Sequence, residues 1–248
     1  KVSSREFDVK AGLEGDSVVA EYSLASGNIF TVRYTLLEGG ILSVESDFKG
    51  VKSSKPVDVP RIGFRMRLPA SADSFTYLGR GPEENYADRF GGTLIGEYSS
   101  SASKEYVRYV RPQECGHHID CEYLSIGGLA IRSDRFEFNA LRCAVEDLDS
   151  EEVVQRDYQW ENKGPLTEND PAKAKNRLRR QTHINDYVER DFVEVCVDYA
   201  QSGVGGYDSW GSRPDGDRCL WSDRDYSFRF TIVPARAMGV RKSLGFDF

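Results

Sequence analysis

The sequence predicts an all-β protein built as one large antiparallel sandwich. Three observations carry that reading: about nine short runs have strand chemistry, turn residues separate them all along the chain, and helices never alternate with strands as a parallel sheet would need. The 248 residues suit a single domain of this class, spanning 1–248. A chain of that length buries roughly 70–75% of the surface it exposes when unfolded, so a core needs no disulfide staples.

The first three strands form a meander. Residues 18–24 and 29–36 are rich in β-branched and aromatic side chains, and Ser26-Gly27-Asn28 between them has turn chemistry. Gly39-Gly40 then leads into a third run over 41–46. Period-two alternation is strictest over 61–68. Ile62, Phe64, Met66 and Leu68 share one side and Arg61, Arg65 and Arg67 the other, which predicts one buried and one wet face. Residues 121–126 and 129–131 make a hairpin around Gly127-Gly128, and runs over 136–141, 192–197 and 226–232 complete the set. A polar segment at 156–180 breaks the pattern. It holds Gly164-Pro165 and Asp170-Pro171 and ends in five basic residues of eight, so a solvated insertion with a short helix capped by Asp170 is expected.

Composition narrows the function. Thirty-three Lys+Arg against 40 Asp+Glu leave a net charge of −7, an unfavourable field for nucleic acid. No apolar run approaches the ~20 residues of a membrane helix. The five cysteines are odd in number and sit mostly in apolar runs, which suits buried thiols. None of the seven Asn begins an N-x-Ser/Thr sequon, and the chain starts at Lys1 without Met, as an excised piece of a longer polypeptide would.

Three stretches could carry chemistry. In Tyr77-Leu78-Gly79-Arg80-Gly81-Pro82-Glu83-Glu84-Asn85-Tyr86-Ala87-Asp88-Arg89, the glycines and Pro82 shape a tight turn that arginine–carboxylate forks can pin. Arg80, Glu84, Asn85, Asp88 and Arg89 are expected in a structural network, joined by Gln113 and Glu114 downstream. The chemical alternative makes Glu83, Glu84 or Asp88 a glycosidase acid or nucleophile. In the second stretch, residues 106–121, Cys115, His117, His118 and Cys121 have the ligand types of a zinc site. All four lie within seven residues with no C-x-x-C and no distant second pair, so no metal site is expected. The third stretch is Gly203-Val204-Gly205-Gly206-Tyr207-Asp208-Ser209-Trp210-Gly211. A glycine-rich turn ending in an indole can offer a flat apolar face to the C–H patch of a sugar, or it can bury a core tryptophan; both readings stay open.

Taken in this order, these motifs resemble the C-terminal, small-chain domain of β-galactosidases of glycoside hydrolase family two. Tyr109-Val110-Arg111-Pro112-Gln113-Glu114, Pro60-Arg61-Ile62-Gly63 and Phe136-Glu137-Phe138-Asn139 fit as well, so the likeness covers most of the chain. The resemblance implies a supersandwich like that of galactose mutarotase, packed beside a catalytic barrel whose sugar pocket it completes. It implies a substrate platform at Trp210 and the hinge of a mobile loop at Gly63, the loop running to about Ala72. It places the two catalytic carboxylates on the barrel, absent from these residues, so no catalytic residue is expected here. For this chain it implies no cofactor. For the parent enzyme it implies Mg and Na in the catalytic domain, a galactoside substrate and a homo-oligomer. His117-His118 departs from the family's usual Asn-Arg pair, the acidic-Asn opening segment is missing before Lys1, and the 156–180 insertion is longer than in the shortest members. Two other classes remain as alternatives on the same fold. A stand-alone aldose 1-epimerase would need His118 or His183 as acid with Glu114 or Glu194 as base. An independent carbohydrate-binding module would bind galactose unaided.

Overall fold

A computed structural model of the chain describes residues 7–110, 112–148, 184, 187–208 and 210–235. The insertion expected at 156–180, and His183, lie outside the described residues. Within them the chain forms β1 (Phe7–Glu14), β2 (Ser17–Leu24), β3 (Ile29–Leu37), β4 (Ile41–Lys49), β5 (Asp58–Val59), β6 (Arg61–Pro69), β7 (Ser74–Gly81), β8 (Leu94–Ser101), β9 (His117–Ile126), β10 (Leu129–Leu141), β11 (Phe192–Gln201), β12 (Leu220–Trp221) and β13 (Tyr226–Pro234). Eleven join one antiparallel sheet in the order β1-β2-β3-β4-β13-β10-β9-β7-β8, with β11 and β6 branching from β10, while β5 and β12 pair separately. The all-β, antiparallel expectation holds.

The branch at β10 makes the layers. Leu129–Arg132 pair with β13, and Glu137–Leu141 pair with β11, which in turn pairs with β6. The β11–β6 arm packs its apolar face onto β3, β4 and β13. Phe64 of β6 lies 5.1 Å from the ring of Phe230, 6.5 Å from Phe228 and 6.0 Å from Phe30. Val193, Val195, Val197, Phe136 and Phe138 join Val32 and Val44 in the same buried cluster. Each such fully buried side chain contributes about 1.5–3 kcal/mol.

Five strands, β1, β5, β7, β8 and β12, are not among the expected runs, and two expected runs merge into one. β1 carries no burial signal because every one of its residues is exposed. β7 runs to Gly81, so the first five residues of the densest polar stretch are strand, not turn. Its glycines conceal it: a Cβ at Gly79 would lie 2.3 Å from Cys121 Sγ, so close packing excludes the side chain that would have shown the alternation. Residues 129–131 and 136–141 are one strand, β10, with register shifts between Arg132 and Phe136 and between Phe136 and Phe138. The predicted hairpin at Gly127-Gly128 is present, both glycines having positive φ.

Candidate functional site

The loop that leaves β7 is pinned through Glu84, Asn85 and Arg80. Glu84 accepts hydrogen bonds from Arg89 at 2.6 Å, the Gly116 amide at 2.8 Å, the Tyr86 hydroxyl at 3.2 Å and the Tyr109 hydroxyl. Asn85 is fully buried; its Nδ2 donates to the carbonyls of Arg80 and Glu83, each at 2.9 Å, and its Oδ1 accepts from the Ile119 amide at 2.8 Å. Arg80 pairs with Asp120 at 2.9 Å and donates to the Thr93 carbonyl. Buried amide and carboxylate groups satisfied in this way hold a loop in one shape. Gln113 differs from expectation: it is exposed and forms no hydrogen bond among the described residues, because the chain turns Glu114 inward in its place.

Beneath that loop lies a polar cluster on the second face of β6, β11 and β10. Arg61 Nε sits 3.2 Å from Asp198, its NH2 group donates to Glu114 at 3.2 Å, and it also reaches Gln201. Glu137 accepts from the Gln201 amide at 2.7 Å and from His117 Nε2 at 3.0 Å. Burial pushes the Asp198 carboxyl up to about 8 although Arg61 pulls the other way. Burial likewise raises Glu137 to about 7, against the Gln201 amide bond, and lowers His117 to about 3, with Arg61 adding to the drop.

Gly63 belongs to this cluster. It faces Asp198 across the β6–β11 ladder, next to a register shift between Asp198 and Ala200, and a Cβ there would lie 2.1 Å from Asp198 Oδ1 and 2.6 Å from its Cα. The segment expected as a mobile loop from Gly63 is strand as far as Pro69, laddered to β11. The glycine is demanded there by the close approach of β11.

The third stretch stands beside the first. Asp88 Oδ1 accepts from the Val204 amide at 3.1 Å, and Oδ2 from the Gly205 amide at 2.8 Å and the Tyr207 hydroxyl at 3.2 Å. Further along, Asp208 Oδ1 takes the Trp210 amide at 2.8 Å and the Ser212 amide at 3.2 Å. Gly205, Gly206 and Gly211 have positive φ, which lets the chain double back on itself. At the tip Trp210 is 92% exposed, and Tyr207 beside it 56%. Trp210 is therefore not a core tryptophan.

The other candidates separate. Cys115, Cys121, Cys143 and Cys196 are buried free thiols, Cys219 partly buried, and burial raises each of the five. His117 turns to Glu137, whereas His118 Nε2 pairs with Glu105 at 2.9 Å and its Nδ1 lies 3.1 Å from the Tyr77 hydroxyl. Glu194 is held by Arg67 at 2.9 Å and by the Val145 amide at 2.9 Å, and Glu114 by Arg61. Neither acid meets His118, so the epimerase pairing does not form among the described residues. Glu83 is exposed, Glu84 is saturated by donors, and Asp88 turns to the third stretch, so the three acids of the first loop do not converge.

Sequence reasoning missed Asp198 and Glu137. The available signal was one acid at the end of the apolar run Phe192–Val197, and another inside Phe136-Glu137-Phe138. A charged residue there is buried only if a partner such as Arg61 faces it.

A family model described as beta galactosidase small chain matches residues 1–232. Similar proteins include the beta-galactosidase of Priestia megaterium, 29% identical over 228 residues, which are 88% of this chain and 19% of that protein. That of Actinobacillus pleuropneumoniae is 26% identical over 231 residues, 92% of this chain and 19% of the relative. That of Streptococcus thermophilus is 28% identical over 244 residues, 93% and 20% respectively. The matched region thus spans 19–20% of the length of these relatives.

Proposed function

The chain belongs to the β-galactosidase small-chain family, and we propose that it is the non-catalytic domain that completes the sugar pocket of a retaining β-galactosidase. The parent would hydrolyse terminal β-D-galactose from β-galactosides such as lactose. The observation that carries this reading is Trp210, 92% exposed at the end of a loop held by two aspartates. An indole in water costs free energy unless something apolar covers it, and a pyranose face with its C–H groups is such a cover. Retention requires two carboxylates about 5–5.5 Å apart, one as acid and base and the other as nucleophile. On this reading both stand on a catalytic barrel in the rest of the parent, together with its Mg and Na, and the parent assembles as a homo-oligomer. The isolated chain binds galactose weakly and hydrolyses nothing.

Trp210 supplies contact and orientation and transfers no proton. Trp210→Ala in the full-length enzyme should raise KM for lactose by about tenfold or more while leaving the pH profile of kcat in place. An unchanged KM would remove the platform. Calorimetry of the isolated chain with galactose separates the binding-module alternative, which demands millimolar affinity or better.

A further inference from the structure

We propose that Asp88 is a positioning residue for Trp210, fixing the loop that carries the indole and through it the affinity for the sugar. This rests on the platform reading above and adds to it the part that holds the platform still. Asp88 and Trp210 come from stretches more than a hundred residues apart, yet one carboxylate spans the base of the loop. Each oxygen has a backbone donor, Val204 on Oδ1 and Gly205 on Oδ2, and Oδ2 also takes the Tyr207 hydroxyl. Bonds to an ionised acceptor are roughly twice as strong as neutral ones. An amide in place of the carboxylate would turn an N–H toward at least one of these N–H groups and lose its bond.

The contact is also tight. A Cβ on Gly203 would lie 2.6 Å from Asp88 Cγ and Oδ2, so the loop can sit on this carboxylate only with glycine at 203. Gly203 has no positive φ, so its smallness answers the carboxylate and Pro214, not backbone strain. The anchor below Asp88 is firm on its own account. Asp88 follows Asn85 and Tyr86, both fully buried, and Tyr86 and Arg89 exchange backbone hydrogen bonds at 2.9 and 3.0 Å. The loop's far strand is tied in turn by the Gly203 amide to the Arg218 carbonyl and the Gly206 amide to the Ser212 carbonyl. What remains for Asp88 is the orientation of residues 204–207, which lead straight to the indole.

Four full-length enzymes, wild type, Asp88→Asn, Trp210→Ala and the double variant, are compared by lactose kinetics. Asp88→Asn should raise KM about tenfold with kcat within about threefold, and the double variant should be no worse than Trp210→Ala alone. Gly203→Ala keeps the carboxylate but presses on it, and should reproduce the KM rise. Amide exchange at Val204 and Gly205 should quicken in Asp88→Asn while the β10 and β11 amides stay protected, which separates a loosened loop from a damaged fold. A normal KM in Asp88→Asn beside a raised KM in Trp210→Ala overturns the role of Asp88 and leaves the platform intact. Additive effects in the double variant overturn it as well. A normal KM in Trp210→Ala instead overturns the platform, and the role of Asp88 in sugar affinity with it.

Discussion

The two faces of the β6–β11–β10 arm are made by the same three strands and are both largely buried, but by opposite means. On one face Phe64, Val197 and Phe138 stand in register, with Met66, Val195 and Ala140 beside them. On the other, one residue over, stand Gly63, Asp198 and Glu137, with Arg65, Cys196 and Asn139 beside them. The first face is held by contact with the opposing layer and tolerates any well-packed apolar set. The second depends on each charge finding its counterpart, since an ion taken from water without a partner costs several kcal/mol. It also changes character along its length. Asp198 is fully buried, while Arg67 near the other end of β6 is 54% exposed. The wet face expected from alternation is wet at that end only, because the loop carrying Glu84 and Tyr86 covers the Arg61 end.

The largest effect should come from the apolar face. Phe64→Ala removes the ring that meets Phe30, Phe228 and Phe230 and should lower unfolding stability by about 3–5 kcal/mol in urea titrations. A loss under about 1 kcal/mol would mean that the layers are not joined there. The polar face should show itself next, through pH. Asp198 and Glu137 have carboxyls raised to about 8 and about 7, so between the ordinary carboxylate range and those values the folded chain holds protons that the unfolded chain has released. Stability therefore falls as pH rises through that window. His117, lowered to about 3, works in the opposite sense between about 3 and 6.5 and has no effect above. From pH 6.5 to about 7.5 the two carboxyls act alone, before the five raised thiols add a fall of the same sense near the ordinary thiol range: Tm should drop, and Asp198→Asn should flatten the slope. An equally steep slope in that variant would break the contrast between the faces. The smallest change is expected at the open end, where Arg67→Ala should cost less than about 1 kcal/mol despite its bond to Glu194.

The candidate site was partly legible. Arg80, Glu84, Asn85 and Arg89 are found in a loop network because turn residues and opposite charges stand close together in the chain, where their meeting needs no long-range information. Asp88 was grouped with them by proximity, yet its carboxylate serves residues 204–207, a pairing that no local pattern contains. Gln113 shows the converse, since adjacency suggested a partner that the outward turn of the chain denies it. Gly63 has no side chain to show its surroundings, and only the approach of Asp198 explains it.

By itself the sequence determined the all-β class, the two-sided character of β6, the hairpin at Gly127-Gly128 and the kinship of its motifs, because alternation, turn chemistry and motif order are properties of neighbours along the chain. Tertiary structure decided that one side of β11 is a buried polar cluster, that Asp88 braces the third stretch and that Trp210 faces water. Burial and partnership depend on what lies opposite across a ladder or beneath a loop, and those neighbours are set by the register and branching of the whole sheet.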